Sequence, residues 1–192
     1  AALTYKTKKM NNVSVGFFGD GAANQGSIAE SMNMASVLNL PAIFVCEDNG
    51  YAESTGSSYA VGGNMVERGK AYGLDSYAVD GTNFFDVYDA AKNVIDNARN
   101  DKGPALLHII TNRVYGHFEG DPQNYRAPDE LKDDRENNDC ITIFKDKVTE
   151  AGLLSDDDIN KLDEEVNSLI EESVDQAKKS PLPNPADVTT DV

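Results

Sequence analysis

The stretch VGFFGDGAANQGSIAESMN, residues 15–33, contains the feature that decides how this chain begins to fold. An apolar, β-branched and aromatic run from Val13 to Gly19 predicts a strand. The tripeptide Gly19-Asp20-Gly21 follows it directly. Glycine and aspartate in this order most often form only a tight turn. The question is therefore whether Asp20 merely shapes a turn or also binds a ligand.

The residues on either side of this turn predict a β-α-β unit. Apolar residues recur every three or four positions between Gln25 and Leu40, which indicates a helix. The run PAIFVCE, which starts at Pro41, predicts a second strand, and proline is tolerated at a strand start. Two apolar strands joined by a helix are typical of a right-handed crossover in a parallel sheet.

The rest of the chain continues this alternation and then changes character. A short helix, a short strand, an amphipathic helix with Phe84 on its apolar face and a strand over Pro104–Thr111 predict a doubly wound α/β layer. We expect this domain to span residues 1–127, with its amino-terminal strands missing. Residues 128–180 predict carboxy-terminal helices, one of which starts at Ser155 and packs through Ile159, Leu162, Val166 and Ile170. The proline-rich residues 181–192 predict an extended tail.

Composition narrows the classes of function. The net charge of −16 over 192 residues argues against a nucleic-acid partner, because phosphates repel such a surface. Cys46 and Cys140 form neither a CxxC motif nor a disulfide framework, which favours a reducing, cytoplasmic compartment. No apolar run approaches the roughly 20 residues that span a bilayer. The first residues, AALTYKTKK, are typical of the last turns of a helix that began earlier in the chain. We therefore expect a fragment of a longer chain.

Two polar loops are predicted to meet at one edge of the sheet. Asp20 closes the first strand, and Asn49 follows the second in the string VCEDNGYAEST. Ligands of open parallel sheets bind at the carboxyl ends of the strands. A carboxylate, an amide and a backbone carbonyl form an oxygen site suited to Mg²⁺, which completes its shell with water and phosphate oxygens. The start of the following helix favours an anionic diphosphate, and Gly21 and Ala22 let the backbone approach it closely.

These motifs resemble a known family. Gly19-Asp20-Gly21, followed after 26 residues by Asp48-Asn49, resembles the thiamine-diphosphate motif GDG…NN. The strings FFGDGAANQG, LPAIFVCEDNGYAEST and NRVYGHFEGDPQNYR are similar to the alpha subunits of thiamine-diphosphate-dependent 2-oxo acid dehydrogenases, and most of all to the acetoin dehydrogenases among them. One departure is Asp48, which stands where the family has its first Asn. The resemblance implies a thiamine-diphosphate-binding fold.

The resemblance also implies roles for individual residues. Mg²⁺ would be bound by the side chains of Asp20 and Asn49 and by the backbone carbonyl of Tyr51. Gly21 and Ala22 would contact the diphosphate, and Arg113 would lie near it. His117 would lie over the cofactor and assist the reaction as the catalytic histidine. By contrast, His108 within ALLHII is interpreted as a packed strand residue.

The implied enzyme is an oxidoreductase that needs a second chain. In this family a beta subunit supplies the glutamate that activates thiamine diphosphate, so we expect an α2β2 assembly that serves a lipoyl acyltransferase. The similarity of the string GHFEGD to acetoin dehydrogenases favours acetoin as the substrate. In that reaction acetaldehyde would be released and an acetyl group passed to lipoamide. Pyruvate or a branched-chain 2-oxo acid is the alternative substrate. Phe118 occupies the place of a serine that is phosphorylated in regulated relatives, so that mode of control is excluded.

Two other classes of function remain to be weighed. An inert binding or scaffold module would result if the missing amino-terminal part carries essential cofactor contacts. A dinucleotide-binding dehydrogenase domain is disfavoured, because no strand is followed by GxGxxG and the P-loop pattern is missing.

Overall fold

In the computed structural model, which describes residues 1–190, four parallel strands form the main sheet. Their order across the sheet is β1-β2-β6-β5, and a separate antiparallel hairpin is formed by β3 and β4. The strands are β1 (Ser14–Gly19), β2 (Ala42–Asp48), β3 (Tyr51–Ala52), β4 (Thr55–Gly56), β5 (Asp75–Asp80) and β6 (Ala105–Ile110). The prediction of an α/β fold built on a parallel sheet is confirmed.

Helices connect the strands and continue beyond the sheet. The α-helices are α1 (Ala2–Thr7), α2 (Gly26–Val37), α3 (Ser57–Ala60), α4 (Met65–Ala71), α5 (Phe84–Arg99), α6 (Glu130–Asn137), α7 (Cys140–Glu150) and α8 (Asp156–Lys179). Two short 3₁₀-helices span Ala22–Asn24 and Pro185–Thr189. Side-chain oxygens cap several of these helices; Ser155, for example, forms a capping box with Asp158 at the start of α8.

Helices pack on both faces of the sheet. Met32 of α2 and Met65 of α4 form one core cluster with Cys46 and Leu106. Val94 of α5 lies in a second cluster, formed with the strand residues that point to the opposite face. This division follows from the two-residue period of a strand, because consecutive strand residues in β2 and β6 face opposite sides. Helix propensity alone would not fix which helix covers which face.

Three details differ from the expectations. β1 lies at one edge of the sheet formed by residues 1–190, so Phe17 is 67% exposed although its strand is apolar. Phe84 is 52% exposed and contacts Phe85 and Phe144 at ring distances of 5.4 and 5.2 Å instead of entering the core. In α8 three of the four apolar residues expected to pack are exposed, namely Leu162, Val166 and Ile170, whereas Ile159 is half-buried. An amphipathic pattern identifies the apolar face of a helix but not what covers it.

The predicted extended tail is only partly correct. Residues 185–189 form a 3₁₀-helix, because Pro185 fits a first helical turn and the Asn184 side chain accepts a hydrogen bond from the Ala186 N–H at 3.0 Å. The last two residues, 191 and 192, lie outside the described part of the chain.

The chain divides into two compact units. The first spans Ala1–Phe144 and the second begins at Lys145, so the boundary falls within α7. The first unit thus extends past the predicted boundary at residue 127. A physical reason is that α6 is tied to the sheet domain, since the Tyr51 hydroxyl donates to Glu130 Oε2 at 2.8 Å. Within residues 1–190, none of the helices combines the length and apolar composition needed to cross a membrane.

The centre of the sheet should dominate stability. Leu106 is 0% exposed near the start of β6, one of the two inner strands of the sheet. We expect Leu106→Ala to lower the free energy of unfolding by about 2–5 kcal/mol, because it removes buried apolar surface and leaves a cavity. Ile110→Ala, on the same strand but 51% exposed, is the control and should cost less than about 1 kcal/mol. Urea unfolding followed by far-ultraviolet circular dichroism measures both, and equal losses would contradict this packing.

Candidate functional site

The carboxyl ends of β1 and β2 bring Asp20 and Asp48 side by side. The parallel register pairs Phe18 with Cys46 and Gly19 with Glu47, so the two aspartates continue the same ladder. Residues two apart in a strand face the same side, which directs both side chains toward the α2 and α4 face. They line a cavity of about 190 Å³, whose other lining residues are Ala23, Cys46, Ser57, Ser58, Val61, Gly63, Asn64, Met65 and His108.

Asp20 is the most unusual residue of this cavity. It is only 3% exposed, and its Oδ2 atom has no hydrogen-bond partner among the described residues. Burial raises the pKa of the Asp20 carboxyl, and the negative charge of Asp48 raises it further, against the opposing effects of the Asp20 and Gly21 N–H groups and of Arg113. Since an unpaired buried carboxylate is costly, this oxygen is a natural ligand for a cation.

The turn after β2 positions the second predicted ligand. The Gly50 N–H donates to Asp48 Oδ1 and the Tyr51 N–H donates to Asn49 Oδ1, each at 3.1 Å. Gly50 has φ +83°, a conformation that glycine adopts without strain. The Asn49 amide oxygen has two lone pairs, so its bond to Tyr51 leaves one free for a metal. Asn49 and Tyr51 are thus held in one short turn beside the end of β1.

The glycine turn itself is approached by protein. A Cβ atom at Gly21 would lie 2.5 Å from the Cβ of Ala52 in the β3–β4 hairpin. Ala22 begins the 3₁₀-helix that leads into α2 and is half-buried. The side of Gly21 where a Cβ would lie therefore contacts the hairpin that contains Tyr51.

Arg113 returns from the loop after β6 to the same region. Its Nη2 donates to the Glu53 carbonyl at 2.8 Å and to the Tyr125 hydroxyl at 2.5 Å. Its Nε and Nη1 atoms are buried without a hydrogen-bond partner in the described chain. Buried guanidinium donors that lack partners favour an anionic ligand, since charge-assisted bonds to phosphate are strong. The positive charge of Arg113 also lowers the pKa of Asp20, against the larger effects of burial and of Asp48.

His117 lies on the exposed part of this loop and does not line the cavity around Asp20. Its backbone N–H donates to Asp121 Oδ2 at 2.9 Å, and the same oxygen accepts from the Tyr125 hydroxyl at 2.6 Å. The bond from Tyr125, then the N–H groups of His117 and Gln123, lower the pKa of Asp121. The loop backbone at His117 is therefore connected to Arg113 through two side chains, while its imidazole faces solvent.

Two contacts of the site, made by the half-buried His108 and the buried Arg126, were missed by reasoning from the sequence. His108 is a strand residue as expected, but its Nε2 lies 2.9 Å from Asp48 Oδ2 and pairs with that carboxylate. Arg126 is buried with its guanidinium 5.0 Å from the Tyr51 ring, and its Nη2 donates to the Arg113 carbonyl at 2.6 Å. The β2–β6 register, which pairs Cys46 with His108, could have indicated the first contact once the strand order was known.

The groups around Asp20 suit a metal ion that is bound by one carboxylate and several neutral or phosphate oxygens. They do not suit a metal ion held by several acidic or imidazole side chains. Within residues 1–190, no group of three or more His, Cys, Asp or Glu side chains is arranged to hold a metal ion. A metal near Asp20 would need amide, carbonyl, water or phosphate oxygens as its further ligands. Mg²⁺ is commonly bound in this way, with one or two carboxylates plus substrate phosphates.

The parallel sheet, the glycine-aspartate turn and the oxygen-rich strand ends are typical of an α/β protein that binds its ligand at the carboxyl ends of the strands. Residues 1–186 match the family described as dehydrogenase E1 component. The chain belongs to that family, as its resemblance to the alpha subunits implied.

Relatives agree with this assignment over the whole length of the chain. It is 48% identical to the alpha subunit of the acetoin:2,6-dichlorophenolindophenol oxidoreductase of Cupriavidus necator, covering 100% of this chain and 58% of that protein. The Bacillus subtilis protein of the same description is 44% identical, with 57% of it covered. The alpha subunit of the pyruvate dehydrogenase E1 component of Rhizobium meliloti is 38% identical, with 55% covered. The chain thus spans little more than half the length of these relatives.

The close contact at Gly21 yields a test of the turn. We expect Gly21→Ala to lower the free energy of unfolding by about 1–3 kcal/mol, because the new methyl group overlaps Ala52. The matched control is Gly16→Ala in β1, where a Cβ would have nothing within 4 Å and should be tolerated. In the double variant Gly21→Ala/Ala52→Gly the overlap is removed and stability should return. Urea unfolding of the four proteins decides the matter, and a double variant no better than Gly21→Ala would refute the contact.

The buried Asp20 carboxylate yields a test with a defined sign. Because its pKa is raised on folding, it favours folding below its ordinary value of 3.8, and this contribution is lost as the pH rises through the folded pKa. At pH 7 without divalent cations, Asp20→Asn should therefore raise the free energy of unfolding by about 1 kcal/mol. This advantage should disappear as the pH falls below about 4.

Asp96 serves as the control with the opposite sign. It is exposed and pairs with Lys92 at 2.8 Å, and this bond lowers its pKa. Asp96→Asn should therefore be neutral or slightly destabilising at pH 7. Thermal unfolding of both variants between pH 3 and 8 measures the difference, and a loss of stability for Asp20→Asn at pH 7 would contradict the unpaired carboxylate.

Proposed function

We propose that this chain carries the magnesium and thiamine-diphosphate site of the alpha subunit of an oxidoreductase that acts on acetoin. The observation that carries the proposal is the buried Asp20 Oδ2 atom, which lacks a partner among residues 1–190 and lies where two parallel strands end. Buried carboxylates without partners are rare unless an ion or ligand completes them. The family match and the names of the relatives supply the kind of ligand.

The residues around Asp20 suit such a ligand. Asp20, Asn49 and the Tyr51 carbonyl would hold Mg²⁺ on the protein side. The backbone at Gly21 and Ala22 and the free donors of Arg113 would hold the diphosphate. When bound, thiamine diphosphate supplies the electron sink for cleavage of a carbon–carbon bond beside a carbonyl group.

His117 is proposed to act from the loop that closes over the cofactor. Its backbone is held by Asp121, while its imidazole is exposed and free to meet a substrate. Closing loops of this kind exclude water and complete the catalytic site. We further propose that a beta subunit supplies the activating glutamate, in an α2β2 assembly, and that a lipoyl acyltransferase receives the acetyl group in the cytoplasm.

Acetoin is favoured over pyruvate by the relatives. The two proteins named for acetoin are 48% and 44% identical to this chain, whereas the Rhizobium meliloti protein named for pyruvate is 38% identical. Pyruvate is therefore the second candidate substrate, followed by branched-chain 2-oxo acids. An inert scaffold is the third alternative, and it predicts that the cofactor does not bind.

Cofactor binding is the first prediction to test. At 100 times the dissociation constant, a ligand that binds only the folded chain stabilises it by about 2.7 kcal/mol, or roughly 5–10 °C in Tm for a chain of this size. We expect this gain with thiamine diphosphate and Mg²⁺ together, and little with either alone. Asp20→Ala should abolish it. Asp80→Ala, at the corresponding end of β5, should retain it, and an unchanged Tm for the unsubstituted chain would favour the scaffold.

Substrate choice needs the second chain. The alpha chain, co-purified with its beta partner, should reduce an artificial electron acceptor faster with acetoin than with pyruvate. Faster reduction with pyruvate would overturn the substrate assignment and leave the cofactor site intact. Turnover that survives Asp20→Ala would contradict the site itself.

A further inference from the structure

Asp48 places a second negative charge beside the proposed anion-binding site, and hydrogen bonds hold its carboxylate in place. Parallel neighbours in a sheet lie about 4.8 Å apart, so Asp20 and Asp48 place two carboxylates close together at the strand ends. Both oxygens of Asp48 are nevertheless occupied. Oδ1 accepts the Gly50 N–H at 3.1 Å, and Oδ2 accepts from His108 Nε2 at 2.9 Å.

The strand order determines the direction in which Asp48 is held. β2 lies between β1 and β6. The bond from His108 therefore draws Asp48 Oδ2 toward β6, away from Asp20 at the end of β1. The pair is well shielded, since the side chains of His108 and Asp48 are 12% and 23% exposed. Hydrogen bonds to a charged group are stronger in such partly buried surroundings.

No other described residue that lines the cavity can offer Asp48 an opposite charge. Cys46 lies next to the pair, but burial, followed by the charge of Asp48, raises the pKa of its thiol to about 12, which keeps it neutral. Among the described residues that line the cavity, His108 alone has a side chain able to carry positive charge. Asp48 also fixes the following turn, because its carbonyl accepts the Thr111 N–H at 2.9 Å.

We propose that His108 is a positioning residue, which holds the Asp48 carboxylate away from Asp20 and thereby keeps the metal-binding turn open for an anionic ligand. The Asp48–His108 coupling stands on the contacts of this chain alone. Its effect on the cofactor rests on the proposed function. His108 does not itself contact the ligand in this assignment.

A double-mutant cycle tests the coupling without any cofactor. His108→Leu leaves Asp48 without its partner and should lower the Tm of the chain by roughly 3–6 °C. Asp48→Asn keeps an oxygen for the Gly50 N–H but removes the charge, so His108→Leu/Asp48→Asn should recover at least half of that loss. If His108→Leu does not fold, His108→Phe, whose ring has a similar shape but cannot donate a hydrogen bond, replaces it in the cycle.

Asp80 provides the matched control for this cycle. It occupies the same register on β5, opposite Ile110, as Asp48 does on β2, and its Oδ1 accepts the Thr82 N–H at 2.9 Å. Asp80→Asn should not rescue His108→Leu. The proposal is overturned if Asp80→Asn rescues as well as Asp48→Asn does, or if neither rescues, because His108 would then act only through packing.

A second readout examines the ligand. Calorimetric titration of thiamine diphosphate in excess Mg²⁺ should give a Kd about tenfold higher for His108→Leu, and Asp48→Asn in the same chain should restore it. If the unsubstituted chain does not bind, the proposed function fails while the stability cycle still decides the coupling. Normal binding by His108→Leu would overturn the positioning role at the cofactor.

Discussion

The parallel pairing of β1 with β2 is the constraint on which the site depends. Once Gly19 lies beside Glu47, the next residues of both strands must be neighbours, and both are aspartates. A sheet edge can place two like charges together only if each is compensated. Asp48 finds its partner in His108, while Asp20 Oδ2 has no partner within the described chain. The asymmetry between two neighbouring carboxylates is what makes this edge a candidate cation site.

The buried Arg126 adds a positive charge behind the turn that contains Tyr51. Arg126 lies over Tyr51 and forms ion pairs with Glu130 and Asp134, each at 3.8 Å. At this distance the pairs supply charge balance but not close hydrogen bonds, so the cost of burying the guanidinium is only partly offset. Its short bond to the Arg113 carbonyl fixes the loop backbone. The loop after β6 is therefore ordered by charge rather than by an apolar core.

The sequence predicts those features that depend on local pattern. The strands over Val13–Gly19 and Pro104–Thr111 and the helix beginning after Ser155 follow from apolar periodicity and capping chemistry. The same patterns led to errors where the tertiary neighbours decide. Phe17 is apolar yet exposed, because a single strand does not reveal that it lies at a sheet edge. His108 is a strand residue as predicted, but its contact with Asp48 could not be predicted, because it depends on a strand order that no local pattern encodes.

The placement of the site on one side of the chain accords with catalysis shared between two subunits. Asp20, the turn at Asn49 and Arg113 are the groups proposed to hold a metal and an anion, and all lie near the carboxyl ends of the strands. The residue proposed for catalysis, His117, faces solvent although its backbone is held by Asp121. A histidine in bulk water cannot exclude solvent from a reacting group by itself. The proposed reaction therefore needs a second surface over this loop, which a beta subunit would provide.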